Sequence, residues 1–264
     1  MNERVTARFG RLVFDRDAIV RAALRAYLEG CLEGISRFGF PSIDGVGWTG
    51  DLQRGTLRHD DGEGNYEVVA WTEAGVVGLA CESGWGPIQQ LRLSVDAVTG
   101  GPDDVRGAVP GLPAELEPAF VMAVGRLDVG PEHGERWAGV GFWLYGDRVG
   151  GLLFDKPKAC GARRLAAWGL LHNGRLLPLS CESYRPRPGA IVTAFVDPKA
   201  APAHAIMDAV TDRALKGPTE FTPAELETLL LPTPKPKQLL AVQRGLQKVG
   251  ITWPGSPEIP EVPT

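Results

Sequence analysis

Tyr66-Glu67-Val68-Val69-Ala70-Trp71, then Glu73-Ala74-Gly75, then Val76-Val77-Gly78-Leu79-Ala80-Cys81 is the stretch that decides the fold class. β-Branched and aromatic residues flank a short connection containing glycine, the composition of a tight hairpin. Two more segments repeat the arrangement. Gly139 to Tyr145, the turn Gly146-Asp147 and Arg148 to Phe154 form one. Arg164 to Leu171, the turn His172-Asn173-Gly174 and Arg175 to Cys181 form the other, and Ala190 to Val196 adds a further strand. Strands that follow one another through short turns pair antiparallel, because a parallel pair needs a long crossover.

Outward from these hairpins the periodicity changes to that of helices. Ile19, Val20, Ala23, Leu24, Tyr27, Leu28, Cys31, Leu32 and Ile35 recur at three- and four-residue steps. They predict an amphipathic helix from Asp15 to Arg37, capped by Asp15 or Asp17 and stopped by Gly39 and Pro41. Pro113 to Arg126 reads as a helix whose start Pro118 kinks or shifts, and Pro202 to Leu215 as another. Thr222-Pro223-Ala224-Glu225 has the residues of a capping box, and Lys237 to Val249 sets Leu239, Val242, Leu246 and Val249 on one face. The fold class is therefore α+β: an antiparallel sheet built from hairpins, packed by an N-terminal helix and C-terminal helices. Trp71, Phe142, Trp143, Phe154 and Trp168 are the expected core aromatics.

A single domain is expected over residues 1–253, with residues 254–264 as a Pro-rich tail. Ala70-Trp71, Gly75, Leu79 and Cys81-Glu82-Ser83 find an echo in Ala167-Trp168, Gly174, Leu179 and Cys181-Glu182-Ser183. The echo leaves open two duplicated hairpin units, about 40–130 and 131–200, followed by helical 201–250, against a coincidence of two similar hairpins.

With 264 residues, 44% hydrophobic and 23% charged, the chain has ordinary globular usage. Its net charge of −4 argues against a chain-wide nucleic-acid or membrane-surface binder. No stretch approaches the roughly 18 apolar residues of a membrane span, and no apolar segment follows the charged start, so a cytoplasmic location is expected. Cys31, Cys81, Cys160 and Cys181 form no metal-binding spacing and are expected to be reduced, with Cys31 and Cys81 buried.

Chemistry-bearing patterns are sparse. His59-Asp60-Asp61-Gly62-Glu63-Gly64-Asn65 alternates oxygen ligands only in part and reads as a polar connection, so no metal is expected. The Cys-Glu-Ser triplets set a carboxylate beside each thiol, which raises its pKa and disfavours a thiolate nucleophile. Gly-x-Ser-x-Gly, P-loop, dinucleotide and His-Glu-x-x-His signatures are all absent, and no cofactor or catalytic residue is assigned.

Charge is uneven along the chain. Residues 1–130 hold 19 acidic and 12 basic side chains, whereas residues 131–264 hold 13 and 16. Between Asp44 and Glu82, eight carboxylates face only Arg54 and Arg58. An acidic surface there would steer a basic protein partner. Asp60, Asp61 and Glu63 are its expected contacts, with Trp48 and Trp85 as exposed anchors; Trp48 lies among glycines, where a loop would present it.

The segment Gly55 to Asn65, with Tyr66 to Trp71 and Val76 to Leu79, resembles cognate immunity proteins of bacterial polymorphic toxins. Leu112 to Leu116, Gly141-Phe142-Trp143 and Gly250 to Pro254 are similar too, so the resemblance covers about a third of the chain. It implies a cytoplasmic protein that binds and neutralises a toxin, with no catalytic residues and no cofactor. Two other classes stay open. One is an enzyme with a site built on His and Cys or on carboxylates, for which His59, His133, His172 and His204 are the available bases. The other is a structural or regulatory interaction module.

Overall fold

Hairpin follows hairpin across the sheet, as the turn residues require. The computed structural model describes residues 15–38, 47–60, 66–81, 105–127, 138–155 and 200–256. It divides into two compact units, Met1–Ala26 with Ile43–Val192, and Tyr27–Ser42 with Thr193–Thr264. Helix α1 (Arg16–Leu32) contributes its first residues to one unit and its last to the other.

The first unit carries strands β1 (Gly47–Gly50), β2 (Gly55–Asp60), β3 (Tyr66–Thr72), β4 (Gly75–Cys81), β5 (Val140–Tyr145) and β6 (Arg148–Gly150). They lie side by side in chain order, every neighbouring pair antiparallel. Alternation places Tyr66, Val68, Ala70, Val77, Leu79, Cys81 and Trp143 on one face. Helix α2 (Glu117–Gly125) covers that face with Ala119, Phe120, Ala123 and Val124. Leu57, Val69, Trp71, Val76, Phe142 and Leu144 alternate onto the other face and are buried as well. Burial on both faces is why β3 and β4 read as nearly continuous apolar runs.

Three glycines on these strands lie beneath aromatic rings. A Cβ at Gly78 would sit 2.1 Å from the Phe142 ring, one at Gly150 2.3 Å from Trp143, and one at Gly55 2.7 Å from Trp71. Each glycine is the cross-strand partner of the ring that covers it. Arg16 ties α1 to the sheet by donating to the carbonyls of Thr72 at 2.7 Å and of Leu52 and Gln53 at 2.9 Å. The Asp15 carboxylate accepts from the Ala18 amide at 2.8 Å, the expected cap.

Three local expectations change. The strand expected through Phe154 stops at Gly150, because Gly151 takes φ 108° and the chain turns into α3 (Leu152–Asp155). Phe154 is consequently half-buried. The helix expected from Pro113 begins as a 3-10 turn (Ala114–Leu116), and α2 opens with Pro118 in its first turn, where the missing amide donor costs nothing. The glycine-flanked loop expected around Trp48 is strand β1.

The second unit joins the end of α1 and a 3-10 turn (Glu33–Ile35) to helices α4 (Ala201–Ala214), α5 (Pro223–Leu229) and α6 (Pro236–Gln247). Thr222 caps α5 with both bonds of the capping box, its hydroxyl accepting from Glu225 N and its amide donating to Glu225 Oε2. Arg213 grips the same carboxylate with two bonds of 2.9 and 3.0 Å. Strands β7 (Thr219–Glu220) and β8 (Ile251–Thr252) form a two-stranded parallel pair, a departure from purely antiparallel pairing. On α6, Gly245 lies against α1: the Tyr27 hydroxyl donates to its carbonyl at 2.8 Å, and a Cβ there would stand 2.8 Å from Cys31 Sγ. The third hairpin, the strand expected over residues 190–196, Trp168 and the second copy of the echo lie outside the described residues.

Candidate functional site

Trp48 is not an exposed anchor. It is 6% exposed, its ring centroid lies 4.9 Å from that of Trp71, and its Nε1 donates to the Gly50 carbonyl at 3.0 Å. Pairing of β1 with β2 sets Trp48 opposite Leu57, on the face that buries Trp71. Asp60 is half-buried and forms an ion pair with Arg58. Asp61, Glu63 and Trp85 lie outside the described residues.

The acidic window is also dispersed by the register. Glu67 is 1% exposed, and its carboxylate Oε1 lies 3.0 Å from Nδ1 of the His59 ring, within hydrogen-bonding distance. His59 and Glu67 are direct partners across β2 and β3, and the ring itself is 3% exposed. Asp60 ends β2 at one end of the sheet, while Asp51 and Glu73 lie at the other. Strict antiparallel order brings the β1–β2, β3–β4 and β5–β6 turns to that second end. There Asp51, Glu73 and Asp147 are all exposed. Neighbouring strands are about 4.8 Å apart, so turns two strands apart set these carboxylates roughly 10 Å from one another along the rim.

The three turns are well defined. Asp51 accepts from the amides of Gln53 and Arg54 at 2.7 and 2.8 Å, and its carbonyl accepts from Trp71 Nε1 at 2.9 Å. Arg16 holds the first two turns through the carbonyls of Leu52, Gln53 and Thr72. Gly146 takes φ 58° in the third. Arg54 and Arg148 are exposed beside the row. Asp147 was not singled out by sequence reasoning; the signal was there, in the parity of turns along a meander.

Other ionisable side chains are internal. In the second unit the His204 ring lies 3.5 Å from the Glu29 carboxylate, which is buried. Cys81 is buried as expected, whereas Cys31 is half-buried; neither is in a disulfide. Burial pushes the Cys31 thiol up to about 11, against smaller opposing effects of the Tyr27 hydrogen bond and Lys248. Burial also raises the Tyr27 phenol. At the outer edge of the sheet, Arg58 donates to the Arg126 carbonyl at the C-terminus of α2, where a cation meets the negative end of the helix. Partial burial, and then Arg58, hold Arg126 below the usual guanidinium range.

No protein family, curated protein or solved structure matches the chain. Among the described residues, no group of three His, Cys, Asp or Glu side chains is placed to hold a metal ion. None of their helices is long and apolar enough to cross a membrane. The site that the geometry assembles is the rim of turn carboxylates, in place of the Trp48–Asp60 surface.

Proposed function

We propose that this chain is a cytoplasmic binding protein of the immunity type, which neutralises a cognate bacterial toxin by covering a basic surface on it. The observation that carries the reading is the rim of Asp51, Glu73 and Asp147, presented on three turns at one end of the sheet. Carboxylates fixed on hairpin turns keep their spacing without ordering a loop on binding, which lowers the entropy cost of association. Each exposed pair contributes about 1 kcal/mol or less, so the rim acts chiefly on the rate of encounter.

Co-expression with the toxin candidate encoded beside the chain tests the function. Restored growth supports it, and continued killing despite soluble expression of both proteins overturns it. The triple variant Asp51→Lys, Glu73→Lys, Asp147→Lys tests the surface. Association measured by stopped flow should slow about tenfold or more at low salt, and the difference should vanish near 0.5 M salt, where screening is about 4 Å. A rate that survives reversal unchanged places the contact elsewhere.

A further inference from the structure

The outer face of α6 is basic along its length. From Thr228 to Pro257 the chain carries four cations, Lys235, Lys237, Arg244 and Lys248, and no carboxylate. All four are exposed, and none has an ion-pair partner among the described residues. At about 3.6 residues per turn, Lys237, Arg244 and Lys248 fall within about 40° of one another and form a ridge about 16 Å long. Val242, Gln243 and Leu246 are buried on the opposite side, so the ridge faces outward. Lys235 and Lys237 stand at the N-terminus of α6, where the positive end of the helix disfavours a cation. These two lysines do not stabilise the helix they begin.

Apolar side chains flank the ridge. Leu231 and Leu240 are two of the three large hydrophobic residues exposed in the described chain, at 42% and 37%. Leu240 lies about 40° from Arg244 around the helix. The Leu231 amide donates to the Ile35 carbonyl at 2.8 Å, and Gly34 of the same 3-10 turn approaches Gln238, so Leu231 lies by the first turn of α6. Ala241, also exposed, sits on the ridge between Lys237 and Arg244. Glu33, half-buried in the 3-10 turn, is a carboxylate at the margin of this surface.

We infer that this face of α6 docks on an anionic lipid bilayer, its cations against the headgroups and its two leucines at the acyl boundary. Three features favour lipid over other polyanions. Lysine is depleted from protein–protein interfaces, whereas at a membrane surface its stem lies along the apolar boundary and its ammonium reaches the headgroups. From Thr228 to Lys248 there is no aromatic side chain on which a nucleic-acid base could stack. Exposed leucines beside cations gain most where an apolar layer receives them. The chain as a whole carries a net charge of −4, so attraction is confined to this face and orients the protein on the surface. Each cation near an anionic surface strengthens binding about fivefold. Four cations and two leucines therefore give a weak, reversible and salt-sensitive attachment. This attachment is independent of the toxin-binding rim.

Cosedimentation of the full chain with vesicles is the test. The chain should pellet with phosphatidylcholine vesicles containing about 30% phosphatidylserine, stay in the supernatant with phosphatidylcholine alone, and be released by about 0.5 M salt. Lys237→Gln with Arg244→Gln, which removes two exposed charges and leaves the buried face intact, should weaken binding about 25-fold. Lys237→Glu with Arg244→Glu should weaken it further. Leu231→Ser with Leu240→Ser should weaken it severalfold at the same salt dependence. A native chain that does not pellet with the anionic vesicles overturns the inference. So does a folded Lys237→Gln, Arg244→Gln variant that binds like the native chain, or binding indifferent to loss of both leucines. Tighter binding to a DNA duplex than to the vesicles would also overturn it, assigning the ridge to nucleic acid.

Discussion

Gly245→Ala places a methyl group 2.8 Å from Cys31 Sγ and 3.5 Å from the Tyr27 hydroxyl. Ordinary contact is roughly 3.5–4.0 Å, so the new carbon sits well inside the sulfur. In an isolated helix the substitution would stabilise by about 0.5–1 kcal/mol. Here overpacking, which costs about 1–3 kcal/mol, opposes that gain. Separating the helices to relieve the clash would stretch the bond from Tyr27 to the Gly245 carbonyl, so relaxation is limited. The net expectation is a loss of about 1 kcal/mol, or roughly 0.5 M in the urea midpoint. Cys31→Ala alone removes a packed sulfur and costs about 1 kcal/mol. The double variant puts the added methyl at position 245 where Sγ was, and should lie within about 0.5 kcal/mol of the native chain. A coupling energy of at least about 1 kcal/mol, opposite in sign to additive damage, is the signature. Equal or greater stability of Gly245→Ala, or additive single effects, would falsify the close approach of α6 to Cys31.

Further outcomes follow from the buried groups. Because the Cys31 thiol titrates near 11 when folded against 9.0 ordinarily, its contribution to stability is complete below pH 9. It is lost as pH rises from there through about 11, so urea midpoints should fall over that interval and fall less in Cys31→Ala. His59→Leu removes a ring bonded to a buried carboxylate and should cost about 3 kcal/mol or more, with His59→Leu plus Glu67→Leu less damaging than the single change. Thr222→Ala breaks the capping box of α5 and should cost about 1 kcal/mol in thermal or urea denaturation.

Much of the architecture was legible because local chemistry and the tertiary fold agree. The Tyr66–Cys81 hairpin, the Asp15 cap and the Thr222 box each rest on contacts within a few residues of sequence. The α+β class followed from short turns between the strands and helical periodicity outside them. Misreadings came where a residue's role depends on distant partners. Glu67 looked like one more surface acid, but with both faces of the sheet covered, alternation no longer separates inside from outside, and only the register against β2 reveals His59. Trp48 looked like a loop residue because glycines surround it. Gly47 instead pairs with Arg58 in a strand, and the Arg126 guanidinium approaches it closely, a Cβ there coming within 2.4 Å of Nη2. Glycine signalled closeness of approach in that case, and mobility was the wrong inference. The carboxylate rim was hidden for a different reason: its members are far apart in sequence, and turn parity alone unites them.

The rings over Gly55, Gly78 and Gly150 have a consequence for descent. Each glycine and its aromatic partner form a lock in which neither half can drift alone. A methyl group at position 78 has nowhere to go while Phe142 keeps its ring, and a smaller residue at 142 leaves Gly78 uncovered and a void in the core. Any sequence that shares this sheet should therefore change 55 with 71, 78 with 142 and 150 with 143, or change none of them. Those three pairs offer a means of finding distant relatives when overall similarity has faded: the search would look for coupled exchanges at fixed register, with the turn residues free to vary.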